Sequence, residues 1–148
     1  MPKSKNAVLI KDYVRKLKKS LERLRYSHQK VIKLSTETEK LTEDELGDWE
    51  SFTSRFARAS DLFLSKLLRA LVLRDDPGFQ GGFRDFLDRA EKLGYISSAD
   101  IWMEIRELRN TTAHEYTEED LAENFGKLLQ YVSYIYETEK IFPLIHAT

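Results

Sequence analysis

The chain has 148 residues, 41% of them hydrophobic and 33% charged, with a formal net charge of −1 and no cysteine. This length suits one domain with a single core, residues 1–148, and the balance favours a helix-rich globular protein over a disordered chain. The lack of cysteine excludes a disulfide framework and thiolate metal sites.

The charge is unevenly spread. Residues 1–34 carry eleven Lys or Arg against Asp12 and Glu22, a balance of +9, while the remainder carries thirteen basic and twenty-three acidic residues, a balance of −10. Two readings follow for the basic first segment. It can meet RNA phosphates or an acidic protein partner, or it is a solvated helix face balanced by the acidic body. Ala7–Ile10 is too short an apolar run for a signal peptide, and no segment approaches a membrane span. The expectation is a cytoplasmic protein without a membrane.

Taken in order, the spacing of Ile10, Val14, Leu17, Leu21, Leu24, Val31 and Ile32 predicts a first helix over about 5–34. His28 shares this stripe and reads as a packed or boundary histidine, because no second ligand type stands at metal spacing. Residues 35–41 form a polar connection. Thr42-Glu43-Asp44-Glu45 is a capping box. It opens a second helix with an inward stripe of Leu46, Trp49, Phe52 or Thr53, Phe56, Ala59 or Ser60, Phe63, Leu67 and Ala70, which is expected to be core.

That helix should stop before Asp75-Asp76-Pro77-Gly78. Residues 74–82 hold three of the six glycines and one of the three prolines, and predict a connecting loop that can flank a cleft. Phe83, Phe86, Leu87 and Ala90 mark a third helix, closed by Gly94 as a left-handed cap. Ser97 or Ser98 caps a fourth, with Ile101, Trp102, Ile105 and Leu108 inward. Thr117 with Asp120 caps a fifth, carrying Leu121, Phe125, Leu128, Val132, Ile135 and Ile141 and ending near Pro143. The predicted fold is all-α, a five-helix up-and-down bundle.

Between the last two helices lies Glu107–Tyr116, which places a guanidinium, an amide, an imidazole and a phenol within eight positions from Arg109 to Tyr116. On an unbroken helix at about 100° per residue, Arg109 and His114 would stand about 140° apart. Thr111 and Thr112 are weak helix formers and Thr117 is a good cap. The fourth helix is therefore expected to loosen near 111–113. This leaves His114 in the corner between helices four and five, folded back toward Arg109 and on the same side as Tyr116.

A neutral imidazole can move a proton near pH 7, and a guanidinium can hold a phosphate through paired hydrogen bonds. Together they suit attack of an RNA 2′-hydroxyl on the adjacent phosphate, which requires no metal. No His-x-His, His-Glu-x-x-His or cysteine ligand is present, so no metal site and no cofactor is expected. Glu118-Glu119-Asp120 reads as first-turn charge. One chain supplies a single proton-transfer group, and a two-fold dimer joining two Arg109–His114 pairs would supply both acid and base. The competing reading makes Arg109 an exposed helix-end charge and His114 an incidental loop residue.

Arg109-Asn110-Thr111-Thr112-Ala113-His114 resembles the Arg-x4-His motif of the HEPN superfamily, and Glu115-Tyr116 extends it to Arg-x4-His-x-Tyr. The longer form is similar to that of HepT-like toxins, which are encoded with minimal nucleotidyltransferase (MNT) antitoxins. From about Phe52 to Asp120 the layout also resembles the nucleotidyltransferase substrate-binding subgroup. It does so through Arg55-Phe56, Gly94-Tyr95-Ile96, Trp102, Arg109-Asn110, His114 and Tyr116. The basic first helix is not matched position by position.

The resemblance implies a metal-independent endoribonuclease with Arg109 and His114 as catalytic pair and Asn110 as the orienting polar neighbour. It further implies a homodimer joined across the motif, and Tyr116 as the hydroxyl adenylylated by the partner nucleotidyltransferase to silence the toxin. The alternative class is a non-catalytic module that binds a nucleotidyltransferase, presenting its substrate or regulating it.

Overall fold

The computed structural model describes residues 2–111 and 117–146. Among them the chain is an all-helical bundle with five principal rods. The first, α1 (Pro2–Val31), buries Ile10, Val14, Leu17, Leu21, Leu24 and Val31 along one face. Ile32, expected on this stripe, is 61% exposed because α1 has already ended. Ser27 is buried instead. A single 3-10 turn (Thr38–Lys40) breaks the polar connection. The Trp49 indole N–H donates to the Ser35 carbonyl at 2.9 Å and ties this connection to the next rod.

That rod starts with the expected capping box. Thr42 Oγ1 accepts from the Glu45 N–H at 3.2 Å, and Glu45 Oε1 accepts from the Thr42 N–H at 2.9 Å. The rod runs as α2 (Glu43–Asp61), a π-helical segment (Leu62–Leu68) and α3 (Arg69–Asp75) without leaving helical geometry. Trp49, Phe52, Phe56, Ala59 and Phe63 are buried as the 3.6-residue spacing requires.

Beyond Phe63 the buried positions move to Leu64, Leu67, Leu68, Leu71 and Val72, while Ala70 is only half-buried. A π turn takes one more residue than an α turn, so the inward stripe advances by one position across it. This is the physical reason why a uniform helical period misplaces the end of the rod.

After the 76–82 loop come α4 (Phe83–Lys92) and α5 (Ala99–Thr111). Gly94 closes α4 at φ +87, with its N–H donating to Glu91 and that of Tyr95 to Ala90, both at 3.0 Å. This is the left-handed cap expected there, and a side chain at that φ would be strained. Ser98 caps α5, its Oγ accepting from the Ile101 N–H at 3.3 Å.

Thr117 caps α6 (Glu118–Glu137) by accepting from the Asp120 N–H at 3.1 Å. The last rod ends earlier than expected, at Glu137. It is followed by a 3-10 turn (Thr138–Ile141) and a short α7 (Phe142–His146). Pro143 therefore sits in a first helical turn, where its missing N–H has no intrahelical partner to lose.

Two ring contacts set the relation of the rods that line the candidate site. Trp49 stacks on Phe125 at 4.5 Å between centroids, joining α2 to α6, and Phe63 packs on Trp102 at 4.8 Å, joining the π segment to α5. Trp49 and Phe63 are both fully buried. No described helix is long and apolar enough to cross a membrane.

Candidate functional site

Trp102, Ile105 and Leu108 turn the inner face of α5 into the core. On the same helix, Arg106, Arg109 and Asn110 follow at i, i+3 and i+4, which aligns them along one flank. The Phe63–Trp102 ring contact holds that flank against the second rod where α2 passes into the π segment. There the Arg109 Nε–H donates to Asp61 Oδ2 at 3.0 Å, across 48 positions of sequence.

Both side chains keep partial solvent access, 34% for Arg109 and 48% for Asp61. An ion pair at such exposure adds about 1 kcal/mol at most, so its value lies in orienting the guanidinium plane.

Arg109 stands between two grooves. The larger, about 640 Å³, is walled by the second rod (Ser60, Asp61, Ser65, Arg69), the α3–α4 loop (Phe79–Gly82), Phe83, and the α5 flank of Arg106, Arg109 and Asn110. The second, about 620 Å³, lies along Ser54, Arg58, Asp61, Lys66 and Arg109. Although the helix runs through Asp75 rather than stopping before it, the 76–82 loop thus flanks a cleft, as its composition suggested. It is held near the mouth by Asp85 Oδ2, which accepts from the Gly82 N–H at 3.0 Å. Gly81, at φ +154, has the Asp85 side chain where a Cβ would stand, so only glycine fits.

The structure therefore puts two of the four singled-out site residues, Arg109 and Asn110, on one cleft wall. His114 and Tyr116 lie outside the described residues, as does the expected corner between helices four and five. Asp61, Arg69 and Arg106 were not singled out by sequence reasoning. Arg106 was accessible through its i, i+3 relation to Arg109. Asp61 and Arg69 carry no local signal, since their place beside Arg109 depends on the packing of two rods.

The other residues that carry the family resemblance have supporting contacts. Arg55 Nη1 donates to Ser27 Oγ at 2.7 Å and clamps α2 to α1. The Tyr95 hydroxyl donates to Asp75 and accepts from Arg74 Nη2 at 3.0 Å, joining the α4–α5 connection to α3.

His28 is half-buried, stacked on Phe52 at 5.5 Å, with Nδ1 2.9 Å from the Tyr136 hydroxyl. Burial pushes the His28 pKa down and raises that of Tyr136 to about 12, so both favour their neutral forms. This histidine is packed structure, as its stripe position indicated. Among the described residues no group of three or more His, Asp or Glu side chains is arranged to hold a metal ion.

These observations define the molecule as a helical bundle with a basic, partly aromatic cleft. Compared with protein-family models, curated proteins and solved structures, the chain gives no match.

Proposed function

We propose that the protein is a metal-independent endoribonuclease of the HEPN type, acting as the toxin of a pair with an MNT antitoxin. The observation that carries the reading is the Arg109 guanidinium, oriented by Asp61 at 3.0 Å on the wall of a cleft that also holds Asn110, Arg69 and Arg106. The resemblance of Arg109–Tyr116 to Arg-x4-His-x-Tyr supplies the remaining roles.

In this reading Arg109 holds the scissile phosphate and Asn110 orients it. His114 of one protomer takes the 2′-hydroxyl proton as the 2′-oxygen bonds to phosphorus. The bond from phosphorus to the 5′-oxygen breaks, and His114 of the second protomer protonates that leaving oxygen. The products are a 2′,3′-cyclic phosphate and a 5′-hydroxyl. The antitoxin silences the enzyme by transferring AMP from ATP to the Tyr116 oxygen, with release of pyrophosphate.

The test is induced expression of the parent, His114→Ala and Arg109→Ala proteins, with growth and total RNA followed. The parent should arrest growth and degrade RNA, and both variants should not. Equal arrest by His114→Ala would remove the catalytic reading and favour a nucleotidyltransferase-binding module. Mass spectrometry after incubation with the nucleotidyltransferase, ATP and magnesium tests Tyr116, where an unchanged peptide would remove the silencing step.

A further inference from the structure

Several exposed cations have carboxylate partners. Arg15 and Lys16 share Asp12, Arg25 meets Glu139, Arg84 meets Asp88 and Asp100, and Arg89 meets Asp76. Among the described residues, cations without such a partner gather in two places, on α1 (Lys11, Lys18, Lys19 and Arg23) and on the rim of the Arg109 grooves. Arg69 and Arg106, both exposed, form no ion pair among the described residues, nor do Arg58 and Lys66 in the adjoining groove. Arg106 instead lies over the Phe83 ring at 3.9 Å. Four cations left without carboxylates around one arginine concentrate positive potential where a polyanion would find it.

The cleft adds a feature that a generic polyanion would not use. Phe79 and Phe83 are half-buried on its wall and pack on Phe86; with Arg106 over one face of Phe83, the Phe79 ring and the guanidinium plane are the surfaces offered for stacking.

We propose that this cleft is a nucleotide subsite for single-stranded RNA, in which Arg69 and Arg106 take a backbone phosphate and the Phe79–Phe83 wall takes an unpaired base. The assignment rests on the ribonuclease reading for its substrate and names how that substrate is held beside Arg109. Arg58 and Lys66 continue the track on the other side of Arg109, so the strand crosses Arg109 rather than ending at it. Base stacking is tolerant of sequence, and the subsite therefore selects unpaired over duplex RNA more than one base over another.

The experiment measures binding of a short labelled oligoribonucleotide by fluorescence anisotropy across a salt series, in the His114→Ala background. Arg69→Gln/Arg106→Gln is compared with a charge-matched control on α1, Lys11→Gln/Lys19→Gln. Loss of this phosphate contact should weaken binding on the order of tenfold and flatten the log–log salt slope by about 0.7, the control leaving both near the parent. A duplex of equal charge should bind the parent more weakly, and polyglutamate should compete poorly.

Parent-like binding and slope in Arg69→Gln/Arg106→Gln would overturn the subsite, as would equal competition by polyglutamate, which marks a surface for an acidic protein. Loss confined to the α1 control would move the RNA track to the basic first helix. Cleavage by the corresponding proteins with His114 intact separates the two readings. Cleavage with no effect of the arginine pair sinks the subsite alone, and binding without any cleavage sinks the ribonuclease alone.

Discussion

The polar cluster around His28 and the one around Arg109 use similar side chains to opposite ends. In the first, each group is answered from within the fold. His28 has Phe52 and the Tyr136 hydroxyl, and Arg25 lies over Tyr136 at 4.6 Å while bonding Glu139 at 2.5 Å. Around Arg109, Asp61 bonds the central guanidinium, and the flanking Arg58, Lys66, Arg69 and Arg106 have no carboxylate partner among the described residues. Complementary polar groups hold the bundle together, whereas cations left unanswered beside a cleft are suited to a ligand. The difference between structure and site lies in this completeness, since both clusters are partly exposed.

The largest test of this contrast is mechanical. Trp49→Ala removes a fully buried ring stacked on Phe125 and should lower stability by about 3–5 kcal/mol in denaturant titrations. Arg106→Gln should stay within about 0.5 kcal/mol of the parent. A small loss at Trp49 would mean that another contact joins α2 to α6. Next, Tyr136→Phe takes the hydroxyl from His28 and should lower stability by about 1 kcal/mol. No change would place the Tyr136 hydroxyl outside the stabilising cluster.

Asp61→Asn sharpens the comparison from the other side. Stability should change by less than about 1 kcal/mol, because the pair is partly exposed. RNA cleavage should fall between about tenfold and a hundredfold as Arg109 loses its orienting partner. Cleavage at the parent rate would make Asp61 a surface charge and no more.

The smallest effect is in pH. Burial holds the His28 pKa below its ordinary 6.5, so the unfolded chain takes the proton first as pH falls. The stability this gives is present above pH 6.5 and is lost as pH drops toward the folded-state value. Thermal unfolding from pH 7.5 to 5.5 should slope less steeply in His28→Gln, and an unchanged slope would contradict the packed-histidine reading.

Local chemistry made much of the bundle legible before any packing was known. The Thr42 capping box, the Gly94 cap, the Ser98 cap and the Thr117 cap all stand where turn chemistry put them. Each is decided within three or four residues. What was not legible depends on non-local terms. The π segment moves the stripe from Ala70 to Leu71 and Val72 through a change of helical register that apolar spacing does not announce. The Asp61–Arg109 pair spans 48 positions and appears only when Phe63 meets Trp102. Arg109 and Asn110 were marked by residue type and spacing, but the arginines that surround them were hidden among ordinary surface charges.

The central claim is that Arg109 belongs to a working phosphodiester site. It is tested most directly by incubating purified parent and His114→Ala proteins with single-stranded RNA in excess chelator and following cleavage. The account predicts cleavage by the parent, with 2′,3′-cyclic phosphate ends, and a loss of at least about a hundredfold in the variant. Intact RNA with the parent, or equal cleavage by both proteins, would contradict it.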